Sequence, residues 1–247
     1  MTKRKRLYFD IEVSPNIGFF WNPGHKVSIS YENIIHERAI ICICYKWEYE
    51  KRVSFLTWDK NQCDKAMLRE FVKIANTSDE LIGHNGDRFD LTWIRTRCLF
   101  HDIQMFPNYT TIDTLKVSRS KFRFNSNRLD YIGKFLGIGK KIHTGFDLWK
   151  DIVLNKSDSA MAEMVKYCKQ DVLLLQSIHE KLDPYIPAKV HYGVLGGDEK
   201  TSCPSCGSSN TINSKMIVKA SGNIGRQRLC KDCGKYHTIN IRRGKST

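Results

Sequence analysis

No part of this sequence stays apolar for long. The longest uninterrupted run, Ala39 to Tyr45, is seven residues, against the ~20 that a membrane-spanning helix requires. No secretory leader is expected from this start: Met-Thr-Lys-Arg-Lys-Arg runs straight into a strand-like segment, with no apolar core of roughly 7–15 residues behind it. No unit repeats at the ~20–50-residue period of solenoid proteins. An even cysteine count is also lacking. Nine cysteines cannot all pair, which argues against a disulfide framework and for a reducing, cytoplasmic setting. Acidic residues nearly vanish at one end: residues 201–247 carry Asp232 alone against nine Lys and Arg, whereas residues 1–200 carry 25 acids and 31 bases.

What is present is a globular composition, 41% hydrophobic and 11% aromatic, in 247 residues with a formal charge of +14. That composition excludes global disorder. The length suits one large domain, or one medium domain and a small one, and the charge suits a polyanionic partner. Pro184 and Pro187, then Gly193, Gly196 and Gly197, form a breaker-rich stretch. It divides an expected first domain, residues 1–185, from a basic domain at 201–247, with residues 186–200 as the linker.

Lys5–Val13 alternates as a strand, and Ala39–Trp47 and Arg52–Trp58 read as strands around the polar turn Glu48–Lys51. Helical spacing covers Asp64–Ala75, Phe89–Phe100, Arg128–Leu136 and Ser157–Leu182. Ser157 or Asp158 can cap the last of these, and Pro184 follows its end. Glu80–Gly83 is a short apolar run ending in the turn signal His84-Asn85-Gly86. Hairpin strands followed by alternating helices and a strand predict an α/β class, a mixed sheet flanked by helices.

Carboxylates interrupt this pattern where a core is expected. On the first strand Leu7, Phe9, Ile11 and Val13 point one way, and Tyr8, Asp10 and Glu12 the other. On a central strand that second face is dry, and like charges held ~6–7 Å apart there call for a cation. On an edge strand the same acids would simply face solvent. In the long helix Tyr167, Asp171, Leu174 and Ile178 form one stripe, which puts an acid on the face turned to the sheet unless the stripe lies at a surface boundary. Asp90 opens the helix after the His84-Asn85-Gly86 turn, with Asp87 as a rival better suited to the turn itself.

Phe9-Asp10-Ile11-Glu12, Gly83-His84-Asn85 with Phe89-Asp90-Leu91, and Tyr167-Cys168-Lys169-Gln170-Asp171 together resemble, in order and spacing, the three motifs of the DEDD (DnaQ-like) 3′–5′ exonuclease superfamily. The resemblance is to its tyrosine branch, as in the proofreading domain of family B DNA polymerases. Arg128–Gly137 resembles that domain's helix before the third motif, and the position five before Asp171 is Lys166 rather than the histidine of the other branch. The resemblance covers about residues 5–183 and implies an RNase H-like fold. It further implies two Mg²⁺ or Mn²⁺ ions held by Asp10, Glu12, Asp90 and Asp171. Asp10 would bridge the ions, Glu12 and Asp171 would complete the one on the nucleophile side, and Asp90 would help hold the second. Hard oxygen ligands suit these ions, which two-metal sites hold roughly 3.5–4 Å apart. Tyr167 would hydrogen-bond the attacking water; a phenol with a pKa of about 10 orients better than it deprotonates. Asn85 would touch the substrate strand, or else end its turn. Asp113, in Thr111-Ile112-Asp113-Thr114, looks family-like and is equally explained as a helix N-cap. No polymerase domain follows, so a stand-alone nuclease is expected.

Near the C-terminus, Cys203-Pro-Ser-Cys206 and Cys230-Lys-Asp-Cys233 are separated by 23 residues. Two CxxC knuckles at this distance point to a structural tetrahedral Zn²⁺ site, closed by four thiolates. A redox role suits either pair singly better than both. His237 is a spare ligand or a surface residue. The small domain needs such a staple because it cannot bury enough apolar area alone. The segment resembles zinc ribbons of insertion-sequence transposases and related DNA-binding proteins, and a viral or mobile-element source would suit it. Arg226, Arg228, Lys231, Lys235, Arg242 and Arg243 are its candidate phosphate contacts. The other five cysteines, Cys42, Cys44, Cys63, Cys98 and Cys168, read as small core hydrophobes. The expected function is a metal-dependent 3′–5′ exonuclease on single-stranded or frayed DNA, with the ribbon holding the substrate. The alternatives are an RNA 3′ exonuclease, because nothing visible reads the 2′-OH, and a non-catalytic nucleic-acid-binding adaptor, against which the presence of all four acids argues.

Overall fold

A computed structural model describes residues 4–22, 24, 28–140 and 144–241. The chain divides into two compact units, one running from residue 5 to 179 and the other from 180 onward together with Arg4.

The larger unit is organised around strand β1 (Arg6–Val13). Its remaining strands are β2 (Ile17–Gly18), β3 (Ile34–His36), β4 (Ile40–Trp47), β5 (Ser54–Thr57), β6 (Glu80–Gly83) and β7 (Thr111–Asp113). Five of them form one sheet in the order β5-β4-β1-β6-β7, while β2 and β3 make a separate short ladder. β1 pairs antiparallel with β4 and parallel with β6. It is therefore a central strand over Arg6 to Tyr8, whereas the stretch carrying Asp10 and Glu12 keeps β4 as its one strand partner among the described residues, with both acids half-buried.

The helices are α1 (Lys65–Asn76), α2 (Asp90–Phe100), α3 (Thr114–Lys121), α4 (Leu129–Phe135), α5 (Asp147–Val153) and α6 (Asp158–Leu182). α1 buries Met67, Leu68, Phe71, Val72 and Ala75, positions that share one face of a 3.6-residue helix. With Leu91, Ile94 and Cys98 of α2 they enclose Leu7, Phe9 and Ile11, the apolar side of β1. On the opposite side of that strand Tyr8 Oη and His179 Nδ1 are hydrogen-bonded at 2.9 Å, and Cys168 of α6 meets Asp10. A buried polar clamp locks the first side. Asp64, fully buried, accepts from the Ile40 N–H at 2.9 Å, from Arg97 Nε and Nη2 at 2.8 and 2.9 Å, and contacts His101 Nε2 at 2.6 Å. Burial alone would raise the Asp64 carboxyl. Arg97, the Ile40 N–H and His101 outweigh it and hold the group below the usual carboxylate range.

The smaller unit carries helix α7 (Tyr192–Leu195) and the strands β8 (Thr211–Val218), β9 (Ile224–Cys230) and β10 (Tyr236–Asn240), an antiparallel sheet in the order β10-β9-β8. Residues 186–200, expected as a linker, belong to this unit and contain α7. Among the described residues its buried apolar side chains are few: Leu182, Ile186, Cys203 and Cys230. A core that thin leaves much of the unit's stability to its cysteines.

Candidate active site

The site begins with the end of a ladder. β6 pairs with β1 only over Arg6 to Tyr8, and the chain then leaves the sheet through the turn at His84-Asn85-Gly86. The Ile11 N–H therefore has no strand partner on that side, and the Asp90 carboxylate takes it at 3.1 Å. Asp90 is 3% exposed. That single bond seats the first-turn acid of α2 beside the backbone that joins Asp10 to Glu12. Asp10 and Glu12, both half-buried, lie on one face of β1 and each has a carboxylate oxygen within 4.8 Å of the other's and of Cys168 Sγ. Cys168 Sγ lies 3.6 Å from Asp10 Oδ2. Asp171, 1% exposed, follows one turn later on the same side of α6, and Tyr167 is half-buried one turn before Asp171. The acids of β1 and of the α2 start thus meet at one end of the sheet, and Asp171 lies one helical turn beyond the Cys168 that touches Asp10.

Asp87 and Asp90 separate clearly. Asp87 forms an ion pair with Lys116 at 2.6 Å, with the lysine largely exposed, whereas Asp90 points inward. Asp113 caps α3 through the N–H groups of Leu115 and Lys116, and its carboxylate also accepts the Asn85 N–H at 2.9 Å and the Asp87 N–H at 3.4 Å. It is thus a cap and also the anchor of the turn. Asn85 has φ +65, an αL geometry that asparagine tolerates well. His84 is pinned on both ring nitrogens, by the Thr114 hydroxyl at 2.9 Å and the Asn127 carbonyl at 3.0 Å.

Two recesses flank these residues. One, of about 330 Å³, runs from Glu12 along Arg38, Phe89, Phe146 and Trp149. The Trp149 indole is fixed by donating to the Val13 carbonyl at 3.1 Å. The other, of about 550 Å³, is lined by His84 and Asn85 together with Arg119, Asn125 and Arg128. Arg38 and Trp149 leave no signal in the sequence, since isolated aromatic and basic residues carry no spacing pattern. Burial and the neighbouring thiols push the Cys168 thiol well above its ordinary value, and the Asp10 charge adds to this.

In the smaller unit the four sulfurs of Cys203, Cys206, Cys230 and Cys233 lie within 4.8 Å of one another. Cys203 and Cys233 are 3.6 Å apart, as are Cys206 and Cys230. The two knuckles repeat one hydrogen-bond pattern. Gly207 donates to the Cys203 carbonyl at 2.8 Å and Gly234 to the Cys230 carbonyl at 2.9 Å, and both glycines have positive φ, +78 and +70. Sulfurs in tetrahedral Zn²⁺ sites stand about 3.8 Å apart, so the four thiols fit that ion. His237 is not among these ligands.

Two of the expected phosphate contacts are engaged within the unit. Lys235 is 7% exposed and forms an ion pair with Asp183 at 2.7 Å, so its charge is turned inward. Arg228 donates Nη1 to the Thr201 carbonyl and Nη2 to the Thr211 carbonyl, at 3.0 and 3.1 Å, and so braces the ribbon backbone. Arg226 and Lys231 are exposed. Arg242 and Arg243 lie outside the described residues.

Residues 35–183 match the profile of the RNase H superfamily, a span that begins after the two β1 acids. The structure is similar to that of the family B DNA polymerase from the hyperthermophilic archaeon Pyrobaculum calidifontis, with a TM-score of 0.58 at 16% identity. The similarity covers 74% of this chain and 25% of the polymerase, so it establishes the fold of one region of a much longer protein. No curated protein matches the chain in sequence. Among the described residues no helix is long and apolar enough to cross a membrane.

Proposed function

The chain belongs to the RNase H superfamily, and from that premise we propose that it is a metal-dependent 3′–5′ exonuclease acting on single-stranded or frayed DNA ends. The observation that carries this reading is the docking of Asp90 on the Ile11 N–H, between the two β1 acids whose oxygens already converge. Three carboxylates gathered at the end of a central strand, with Asp171 buried on the helix that packs beside them, suit hard divalent cations. Asp10, Glu12, Asp90 and Asp171 would hold Mg²⁺ or Mn²⁺. Such ions, when bound, supply Lewis acidity that lowers the pKa of an attacking water and offsets charge on the phosphorane.

The protein's own groups do the rest. Tyr167 orients the water through its phenol. The aromatic recess beside Glu12 accepts the terminal base by stacking, while Arg38 at its rim meets a phosphate. Arg119 and Arg128 in the second recess track the strand further along. Both recesses are open clefts suited to a flexible single strand rather than to groove reading. The ribbon, through Arg226 and Lys231, adds affinity that is independent of sequence. A structural Zn²⁺ held by Cys203, Cys206, Cys230 and Cys233 keeps it folded.

Purified protein incubated with 3′-labelled and 5′-labelled DNA and RNA, with Mn²⁺ or with EDTA, tests the reading. Mononucleotides released from the 3′ label of DNA in Mn²⁺ alone are expected. Preference for RNA would assign an RNA 3′ exonuclease, and binding without release in every condition would leave an adaptor.

A further inference from the structure

Three thiols lie where the carboxylate site meets the core. Cys42 and Cys44 sit two apart on β4, so they share a face, and in the antiparallel register they stand opposite Glu12 and Asp10. Cys168 reaches them from α6. All three residues are fully buried, and their sulfurs lie within 4.8 Å of one another. Cys168 Sγ belongs equally to the acidic group, within 4.8 Å of oxygens of both Asp10 and Glu12.

Buried cysteines are ordinarily small hydrophobes, and Cys98, packed among the apolar side chains of α1, α2 and the sheet, is one. The trio differs because three sulfurs converge and one of them touches a carboxylate. The ribbon gives the scale for comparison. Its four sulfurs satisfy the same 4.8 Å limit. With Zn–S of about 2.3 Å and Zn–O of about 2.1 Å, a tetrahedral ion spaces sulfurs about 3.8 Å apart and sulfur from oxygen about 3.6 Å. Cys168 Sγ and Asp10 Oδ2 already stand 3.6 Å apart. The three sulfurs need to draw together by no more than about 1 Å to match.

We propose that Cys42, Cys44 and Cys168 form a second, soft-cation site that takes Zn²⁺ or Cd²⁺ through three thiolates and draws the Asp10 carboxylate into the fourth position. Binding releases the three thiol protons to solvent as the metal–sulfur bonds form. Thiolates select such ions over Mg²⁺ and Mn²⁺, and the half-buried Asp10 marks the side from which a cation enters. Resting on the nuclease reading above, the consequence is control: occupied, this site withdraws Asp10 from the ions of hydrolysis and silences the enzyme reversibly.

The test uses the full chain, kept reduced with a phosphine and with ribbon Zn²⁺ in place. Cd²⁺ is added, and total Zn²⁺ plus Cd²⁺ per chain is counted after gel filtration. Sulfur-to-cadmium charge-transfer absorbance reports thiolate ligation, and electron paramagnetic resonance follows bound Mn²⁺. Wild type is expected to hold one soft cation more than Cys42→Val, Cys44→Val or the single-atom change Cys42→Ser, to lose bound Mn²⁺ as that cation enters, and to slow about a hundredfold until a chelator restores the rate. An equal count in wild type and the folded variants, or a second cation that leaves Mn²⁺ binding unchanged, overturns the proposal. A chain that shows the extra cation and the Mn²⁺ loss but hydrolyses nothing sustains this site and refutes the nuclease reading instead.

Discussion

The two units of this chain relate metal and fold in opposite ways. In the larger, the acids come from β1, the first turn of α2 and the middle of α6, and the core of Leu7, Phe9, Phe71, Leu91 and Ile94 is packed from apolar side chains. The fold makes the site. In the smaller, the ligands come in two short knuckles, and few apolar side chains are buried. There the site makes the fold. The first arrangement places charges that repel one another where hard cations are wanted; the second gathers four thiols into a ring of the size that suits one soft cation.

Removing zinc should separate the units most sharply. Structural Zn²⁺ contributes about 10–16 kcal/mol to small thiolate domains. Cys203→Ser with Cys230→Ser is therefore expected to unfold residues 201–240 while the larger unit melts unchanged. Amide hydrogen exchange resolved by segment would show it, and equal protection in both units with zinc absent would break the comparison. Next in size is Asp10→Ala or Asp171→Ala. Losing metal-borne charge stabilisation of several kcal/mol implies a fall in hydrolysis of about a thousandfold or more, with the melting temperature held or raised because like charges are removed. Metal-dependent cleavage persisting in both variants would strip these acids of their role.

Asp64 tests the other half of the claim, that the larger unit rests on its own packing. Asp64→Asn breaks a buried, bidentate pair with Arg97 and should cost about 3–5 kcal/mol in denaturant unfolding. The folded carboxyl is held below its unfolded value. Its contribution is thus fully present above the unfolded pKa of about 3.9 and is lost as pH falls through the folded value. The stability gap between wild type and variant should narrow below about pH 4; a gap constant to lower pH would deny the pair its charge.

Legibility followed sequence separation. The CxxC pairs announced themselves because both ligands of a knuckle lie within four residues, and α6 did so because a long helix shows its period. β7 and α5 did not: three residues cannot display alternation, and the seven of α5 span barely two turns. The acids were readable as anomalies on β1 and α6, yet the bond from Ile11 to Asp90 depends on where β6 stops, which no local pattern states. Lys235 misled for a related reason. Its position in a basic segment suggests solvent, and only the folded chain brings Asp183 to it.

Tyr167→Phe is the finer probe of the larger unit. Removing only the phenolic oxygen should slow hydrolysis by about ten- to a hundredfold while substrate affinity stays level, since the loss is one of orientation; an unchanged rate would leave Tyr167 as packing.

The smallest expected effect asks whether the smaller unit does anything beyond folding. Arg226 and Lys231 are exposed, whereas Lys235 and Arg228 are engaged within the unit, so the phosphate-binding capacity of the described ribbon narrows to few side chains. Each phosphate contact on a single strand contributes about 0.7 to the slope of log affinity against log salt. Arg226→Ala with Lys231→Ala should therefore flatten that slope by about 1.4, with the loss equal across sequences because phosphate contacts carry no base information. Turnover on short oligonucleotides should not change if, as proposed, the larger unit holds them alone. A slope unchanged in the double variant would return the basic surplus of residues 201–247 to solubility and leave the ribbon with zinc and structure as its whole account.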